Sequence, residues 1–344
     1  MAAVTTVLSL MPLASARAAT PAGPELEGIP HFSHVVVLVE ENESESATFG
    51  PASPAHYLNS LRSKGVFLPD YYGTGHVSLD NYIAMVSGQP LNPLSSSDCT
   101  TVSLYTCAQP QSAYDNGRNL ADQLEGAGDS WKSYMDSTPT PCFHAPYSPT
   151  ELSPDPYQGN SQTAPSRDYA DRHNPFIYFP DFVGNQARCS AHQKPYPQLG
   201  RDLAANRLPQ FSFITPDTCH DGHDNPCSSG QPGGLVSADL WASQNVPALI
   251  NYLWHHNGLL IINFDEGAED ANDLCPSCAS GGVGGRTGAV VLSPLLKGGQ
   301  VVSTGYDHLS LLRTVEDSFG ITEHLNWAAQ ANAMTDVFAQ GNRS

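Results

Sequence analysis

His34-Val-Val-Val-Leu-Val-Glu-Glu-Asn42 contains an apolar, largely β-branched run that ends abruptly in Glu40, Glu41 and Asn42. That pattern is expected of a buried strand opening into a polar loop. The same design recurs at Phe211–Thr215, Leu259–Phe264 and Ala289–Leu292, each followed at once by a cluster of Asp, Glu, His or Pro. Helical patterns lie between them at 55–64, 119–126, 239–256 and 307–319, and a further helix-like run covers 82–86. Strands alternating with helices predict an α/β fold with a mostly parallel sheet and its chemistry at the carboxyl ends of the strands. The stretch 129–200, rich in Pro, Tyr, Ser and Asp, lacks clear periodicity. It reads as an irregular insertion or cap over the sheet edge, within one domain spanning 31–340.

Charge and composition exclude several classes. The 344 residues carry 34 acidic and 15 basic side chains, a formal net charge of −19. Such a chain has no means of neutralising a phosphate backbone, so a nucleic-acid partner is not expected. With 29 Gly, 28 Pro and only 14% charged residues, the chain suits short elements joined by ordered turns and excludes coiled coil and collagen. Residues 1–19 read as a signal peptide truncated at its basic start, and Ala16-Arg17-Ala18 offers a small-residue cleavage site. No later stretch approaches the apolar length of a membrane span. Eight cysteines, several of them close neighbours, suit disulfides in an oxidising compartment; the pairs expected are 99/107, 219/227 and 275/278. Cys275-Pro-Ser-Cys278 has no second Cys-x-x-Cys to complete a zinc site. A secreted or cell-envelope protein is therefore expected.

If the strand ends meet at one edge of the sheet, Glu41, Asn42, Asp217, Asp221, His223, Asp265, Glu266 and His308 share a cleft. Carboxylates crowded with imidazoles repel one another unless a cation sits among them, so the cluster predicts a divalent metal site. Taken singly, each of these carboxylates is more often solvated surface, and His308 at a helix start is more often a packing residue. The recurrence after several apolar runs carries the reading. A nucleophile candidate lies in Gly73-Thr-Gly-His-Val-Ser-Leu-Asp-Asn81, where Ser78 precedes a helix. Helix-start N–H groups suit an anion, and Asn81 could turn its amide toward the same anion. The plain alternative is an N-cap serine in a glycine turn.

These residues resemble a family. Val35–Glu41-Asn42-x-Ser44 with Phe49-Gly50, then His76-x-Ser78-x-x-Asn81-Tyr82 with Ser87-Gly88, is similar to the bacterial phosphoesterases that include secreted acid phosphatases and phospholipases C. The likeness continues through Leu208-Pro…Pro216-Asp217, Asp221-Gly-His223-Asp224, Leu260…Asp265-Glu266 and His308…Gly320, in order over about residues 31–322. The resemblance implies an alkaline-phosphatase-like, three-layer α/β/α sandwich and metal-dependent phosphoryl transfer. It implies Ser78 as nucleophile with Asn81 beside it, and metal positions at Glu41, Asn42, Asp265 and Glu266. By looser similarity Asp217, His223 and His308 hold a second metal or the phosphate. A weaker match at Tyr169…Arg172-His173-Asn-Pro175 points to Arg172 and His173 as phosphate ligands.

The implied activity is that of an acid phosphatase that hydrolyses phosphomonoesters through a phosphoserine and needs one or two divalent ions. The implied partner is a small phosphate ester or a phosphoinositide-like headgroup. His76, His173, His223 and His308 are the candidates for protonating the leaving alcohol. Within the same chemistry the alternative is a phospholipase C-type phosphodiesterase, for which Tyr178, Phe179 and Phe182 would form an apolar rim. From other classes come a metal-free serine esterase, disfavoured because no Gly-x-Ser-x-Gly surrounds Ser78, and a calcium-binding surface protein using Asp265–Asp270.

Overall fold

Seven consecutive residues, His34–Glu40, form β1 at the middle of an eight-stranded sheet. The computed structural model describes residues 25–93, 95–98, 117–143, 168–267 and 274–339. The strands are β2 Val66–Leu68, β3 Tyr71–Tyr72, β4 Trp131–Met135, β5 Gln193–Pro195, β6 Phe211–Thr215, β7 Gly258–Phe264, β8 Ala289–Leu292, β9 Gln300–Val301 and β10 Tyr306–Asp307. Their order is β5-β4-β6-β1-β7-β8-β2-β9, with β3 and β10 pairing separately. β8 runs antiparallel to both its neighbours, β7 and β2, and the other pairings in the large sheet are parallel. Because β6, β1 and β7 are adjacent and parallel, their carboxyl ends open at one edge. Glu40 stands opposite Phe264 there.

Alternation along β1 separates two cores. Val35, Val37 and Val39 pack with Leu79, Tyr82 and Ile83 of the helix Ser78–Ser87 and with Leu311, Leu312 and Val315 of the helix His308–Ser318. Val36 and Leu38 face Val246, Leu249 and Leu253 of the helix Gly234–His255 on the other side. Each fully buried Val or Leu contributes roughly 1.5–3 kcal/mol before chain entropy is set against it. Helices on both faces make the three-layer α/β/α arrangement that the family resemblance implies, around the mostly parallel sheet expected from the alternation of elements.

The four expected strands fall where the apolar runs place them. The stretch 129–200 differs from its reading as cap: it supplies β4 and β5 to the sheet edge. β4, Trp-Lys-Ser-Tyr-Met, mixes polar and apolar residues because its neighbour β5 is a short outer strand, so no continuous apolar run marks it. Tyr178, Phe179 and Phe182 are buried in the first core and form no exposed rim. Cys219–Cys227 and Cys275–Cys278 are bonded, as is Cys142–Cys189, a pair the spacing did not single out. Cys99, Cys107 and the segment read as a signal peptide lie outside the described residues. Among the described residues, no helix is long and apolar enough to cross a membrane.

Candidate active site

Three strand ends and one helix start meet at the carboxyl edge of the sheet. Glu41 and Asn42 follow β1, Asp265 and Glu266 follow β7, and the loop 216–224 follows β6. Backbone bonds lock these ends together: Glu41 N–H donates to the Asp221 carbonyl at 2.8 Å and Asp265 N–H to the Glu40 carbonyl at 2.9 Å. Asp265 Oδ1 accepts from the backbone N–H of Asn42 at 3.1 Å and of Glu266 at 2.6 Å. Glu41 Oε2 accepts from Asn42 Nδ2 at 3.1 Å and from the Ser78 hydroxyl at 3.2 Å. Ser78 is therefore one hydrogen bond from the acidic cluster.

The cluster is short of positive charge. Glu41, Asp221 and Asp265 are completely buried, yet Glu41 Oε1, Asp221 Oδ2 and Asp265 Oδ2 have no hydrogen-bond partner. His173 Nε2 lies 3.2 Å from Glu41 Oε1 and its Nδ1 3.3 Å from Asp221 Oδ2, both without hydrogen-bond alignment. Burial, then Arg172 and His223, hold His173 well below its ordinary pKa. A neutral imidazole has one N–H, so one of its nitrogens faces a carboxylate with a lone pair. Burial, reinforced by neighbouring carboxylates, pushes Glu41 well up and Glu266 to about 10, and burial lifts Asp265 to about 6. Acceptors facing acceptors in a dry pocket are the donor set of a divalent cation. Among the described residues, Glu41, His173 and Asp221 bring ligand atoms within 4.8 Å of one another and fit such an ion, with Asn42 and Asp265 hydrogen-bonded beside them.

The nucleophile loop is held from below. Ser78 is the first residue of its helix, and the Gly73–Val77 turn before it folds around Asn81. Asn81 Oδ1 accepts from Thr74 N–H at 2.7 Å, Thr74 Oγ1 at 2.9 Å and Gly75 N–H at 3.2 Å, while its Nδ2 donates to the carbonyls of Gly75 and Val77 at 2.9 and 3.1 Å. A Cβ at Gly73 would come within 2.7 Å of the Asp265 carbonyl, so glycine lets the loop lie against the β7 end. Tyr82, one turn along, stacks on His173 with centroids 5.1 Å apart.

Around the mouth, Arg172 Nη2 lies 2.9 Å from His223 Nε2, and His223 Nδ1 lies 2.7 Å from Asp224 Oδ1. His76 Nδ1 is 3.2 Å from Glu266 Oε2, and its side chain is 34% exposed, so it stands at the solvent side. Asp98 Oδ1 accepts from Leu79 N–H at 2.9 Å, and its other oxygen lies 4.0 Å from Arg172 Nε.

Three expected residues stand apart from the cluster. His308 Nε2 contacts the Asp265 carbonyl at 2.5 Å and its Nδ1 the Tyr71 hydroxyl at 2.9 Å, so both ring nitrogens are committed and none is left for a metal. Asp217 bonds the Ser137 hydroxyl at 2.5 Å and approaches His220 Nδ1 at 2.7 Å, forming a separate group. Asn81 directs its amide into its own loop and not toward an anion. Conversely, His173, expected at the phosphate, sits between Glu41 and Asp221, and Asp98 had no signal in the sequence beyond its charge.

Over 316 residues, 91% of the chain, the protein is 28% identical to a probable acid phosphatase of Kluyveromyces lactis. The chain spans 64% of that relative's length. It is 25% identical over 338 residues, 98% of the chain, to a phosphatidylinositol-3-phosphatase of Mycobacterium tuberculosis and spans 93% of it. Its fold matches a Vibrio parahaemolyticus protein in the alkaline phosphatase superfamily with a TM-score of 0.51 at 13% identity, covering 85% of this chain and 67% of the other. That likeness carries the fold alone, and it agrees with the expected alkaline-phosphatase-like sandwich. Residues 52–322 match the model of the Phosphoesterase family, and the chain belongs to that family.

Proposed function

We propose that the protein is a secreted, metal-dependent phosphomonoesterase of acid phosphatase type that works through a phosphoserine at Ser78. The observation that carries the reading is the Ser78 hydroxyl on Glu41 Oε2, 3.2 Å away, inside a buried acidic cage whose outer oxygens lack partners. A cation held by Glu41, Asn42, Asp265 and Glu266 supplies, when bound, a positive centre that draws the phosphoryl oxygens and favours the serine alkoxide. Without it, a phosphate ester approaching a chain of net charge −19 is repelled.

Ser78 gives its proton to Glu41, and its Oγ attacks phosphorus as the bond from phosphorus to the alcohol oxygen breaks. Arg172 steadies the equatorial oxygens. His76 is best placed to protonate the departing alcohol, because it is exposed and paired with Glu266, whereas both nitrogens of His308 and of His223 are engaged. Water then attacks the phosphoserine and gives a proton to His76, the phosphorus–Oγ bond breaks, Glu41 returns its proton to Ser78 Oγ, and phosphate leaves. A serine triad requires imidazole at the hydroxyl, but Ser78 meets a carboxylate. For the phosphodiesterase alternative, the supposed apolar rim is core. Part of the calcium-binding stretch, 268–270, lies outside the described residues.

Chelation is expected to abolish p-nitrophenyl phosphate hydrolysis, and a divalent metal to restore it. Ser78→Ala should lower kcat by at least about 10³-fold and remove the phosphoserine from acid-quenched protein, with metal content retained. Near-parental turnover in Ser78→Ala would overturn the assignment.

A further inference from the structure

A groove of about 650 Å³ leaves the site at Asn42 and His223. Asn42 and His223 join it to the site: Asn42 Nδ2 lies 3.1 Å from the Glu41 oxygen that accepts from Ser78, although Ser78 and Glu41 are not themselves among the described lining residues. Its volume falls within the roughly 300–1,000 Å³ of small-molecule sites. The lining also includes the apolar Pro54, Leu235 and Val236 and the polar Ser46, Ser53 and Glu43. No Lys or Arg is among the described lining residues. His223 is the one basic side chain there, and its two ring nitrogens are already within 2.9 Å of Arg172 and 2.7 Å of Asp224.

A mixed apolar and hydroxyl surface suits an alcohol that carries both kinds of group. A second phosphate would meet no cation in the groove, would face Glu43, and would enter against the field of a strongly acidic chain. We propose that this groove binds the alcohol portion of the substrate and selects monoesters of uncharged, partly apolar alcohols, rejecting esters that carry a second phosphate. The proposal rests on the phosphomonoesterase reading and narrows it. A phosphoinositide headgroup, which bears a diester phosphate beside the monoester, falls into the rejected class.

The test compares kcat/KM for octyl phosphate and fructose 1,6-bisphosphate in the metal-loaded full chain, with p-nitrophenyl phosphate as reference. The expected preference for octyl phosphate is at least about tenfold. Val236 is 55% exposed, so Val236→Lys is tolerated by the fold and places a cation in the wall. That variant should shift the ratio toward the bisphosphate by about tenfold through both a better bisphosphate and a poorer octyl ester. Equal use of the two esters by the parent, or a ratio unmoved by Val236→Lys, overturns the groove assignment while p-nitrophenyl phosphate hydrolysis stands. Loss of all three activities in metal-loaded protein sinks the phosphomonoesterase reading and this inference with it.

Discussion

Asn81 holds the turn before Ser78 from within. Its amide makes five hydrogen bonds to the turn that presents Ser78, and the side chain is completely buried. Removing it leaves Thr74 and Gly75 with unsatisfied buried donors, at a cost of about 2–4 kcal/mol. A loop displaced by about 1 Å loses roughly 10²-fold in rate. Asn81→Ala is therefore expected to lower both the unfolding midpoint in urea and kcat, with KM little changed. A variant with normal stability but a raised KM would return Asn81 to the anion-binding role that the spacing from Ser78 suggested. The spacing located the residue, but the direction of its amide depends on where the preceding turn folds.

At the scale of elements, the helix His308–Ser318 carries a buried carboxyl that makes stability depend on pH. Glu316 is completely buried and bonds the Leu325 N–H at 2.9 Å, and burial raises its carboxyl from 4.5 to about 7. Between those values the folded chain holds a proton that the unfolded chain releases, so stability falls as pH rises through the window and is level above it. Glu316→Gln keeps the acceptor and has no proton to lose. Relative to the parent it should gain up to about 3 kcal/mol between about pH 4.5 and 7.5, measured by urea unfolding at both. An equal difference at the two pH values would show that Glu316 titrates normally. Strands obey a similar economy of context: β1, β6 and β7 were legible because both their faces are buried and their apolar runs are unbroken. β4 and β5 were not: β5 is the short outer strand, and β4 beside it mixes polar with apolar residues, so neither carries an unbroken apolar run.

For the whole molecule, the Cys142–Cys189 bond spans a sequence separation of 47 residues, linking the segment after β4 to the one before β5. Constraining a loop of that length is worth about 4 kcal/mol in the chain-entropy treatment. Replacing both cysteines with serine should lower unfolding free energy by about that amount while the p-nitrophenyl phosphate activity at low temperature survives. A loss below about 1 kcal/mol would show that the unfolded chain is already constrained there. By itself the sequence determined the α/β class, the central strands, the acidic ends Glu41-Asn42 and Asp265-Glu266, and Ser78 at a helix start, because strand burial and helix capping leave local patterns. Only the tertiary structure decided that His173 lies between Glu41 and Asp221, that His308 and Asn81 serve the scaffold, and that a groove free of lysine and arginine among its described lining residues leaves the site. Those outcomes depend on which atoms of distant segments come within about 3 Å, a distance set by packing that no local pattern encodes.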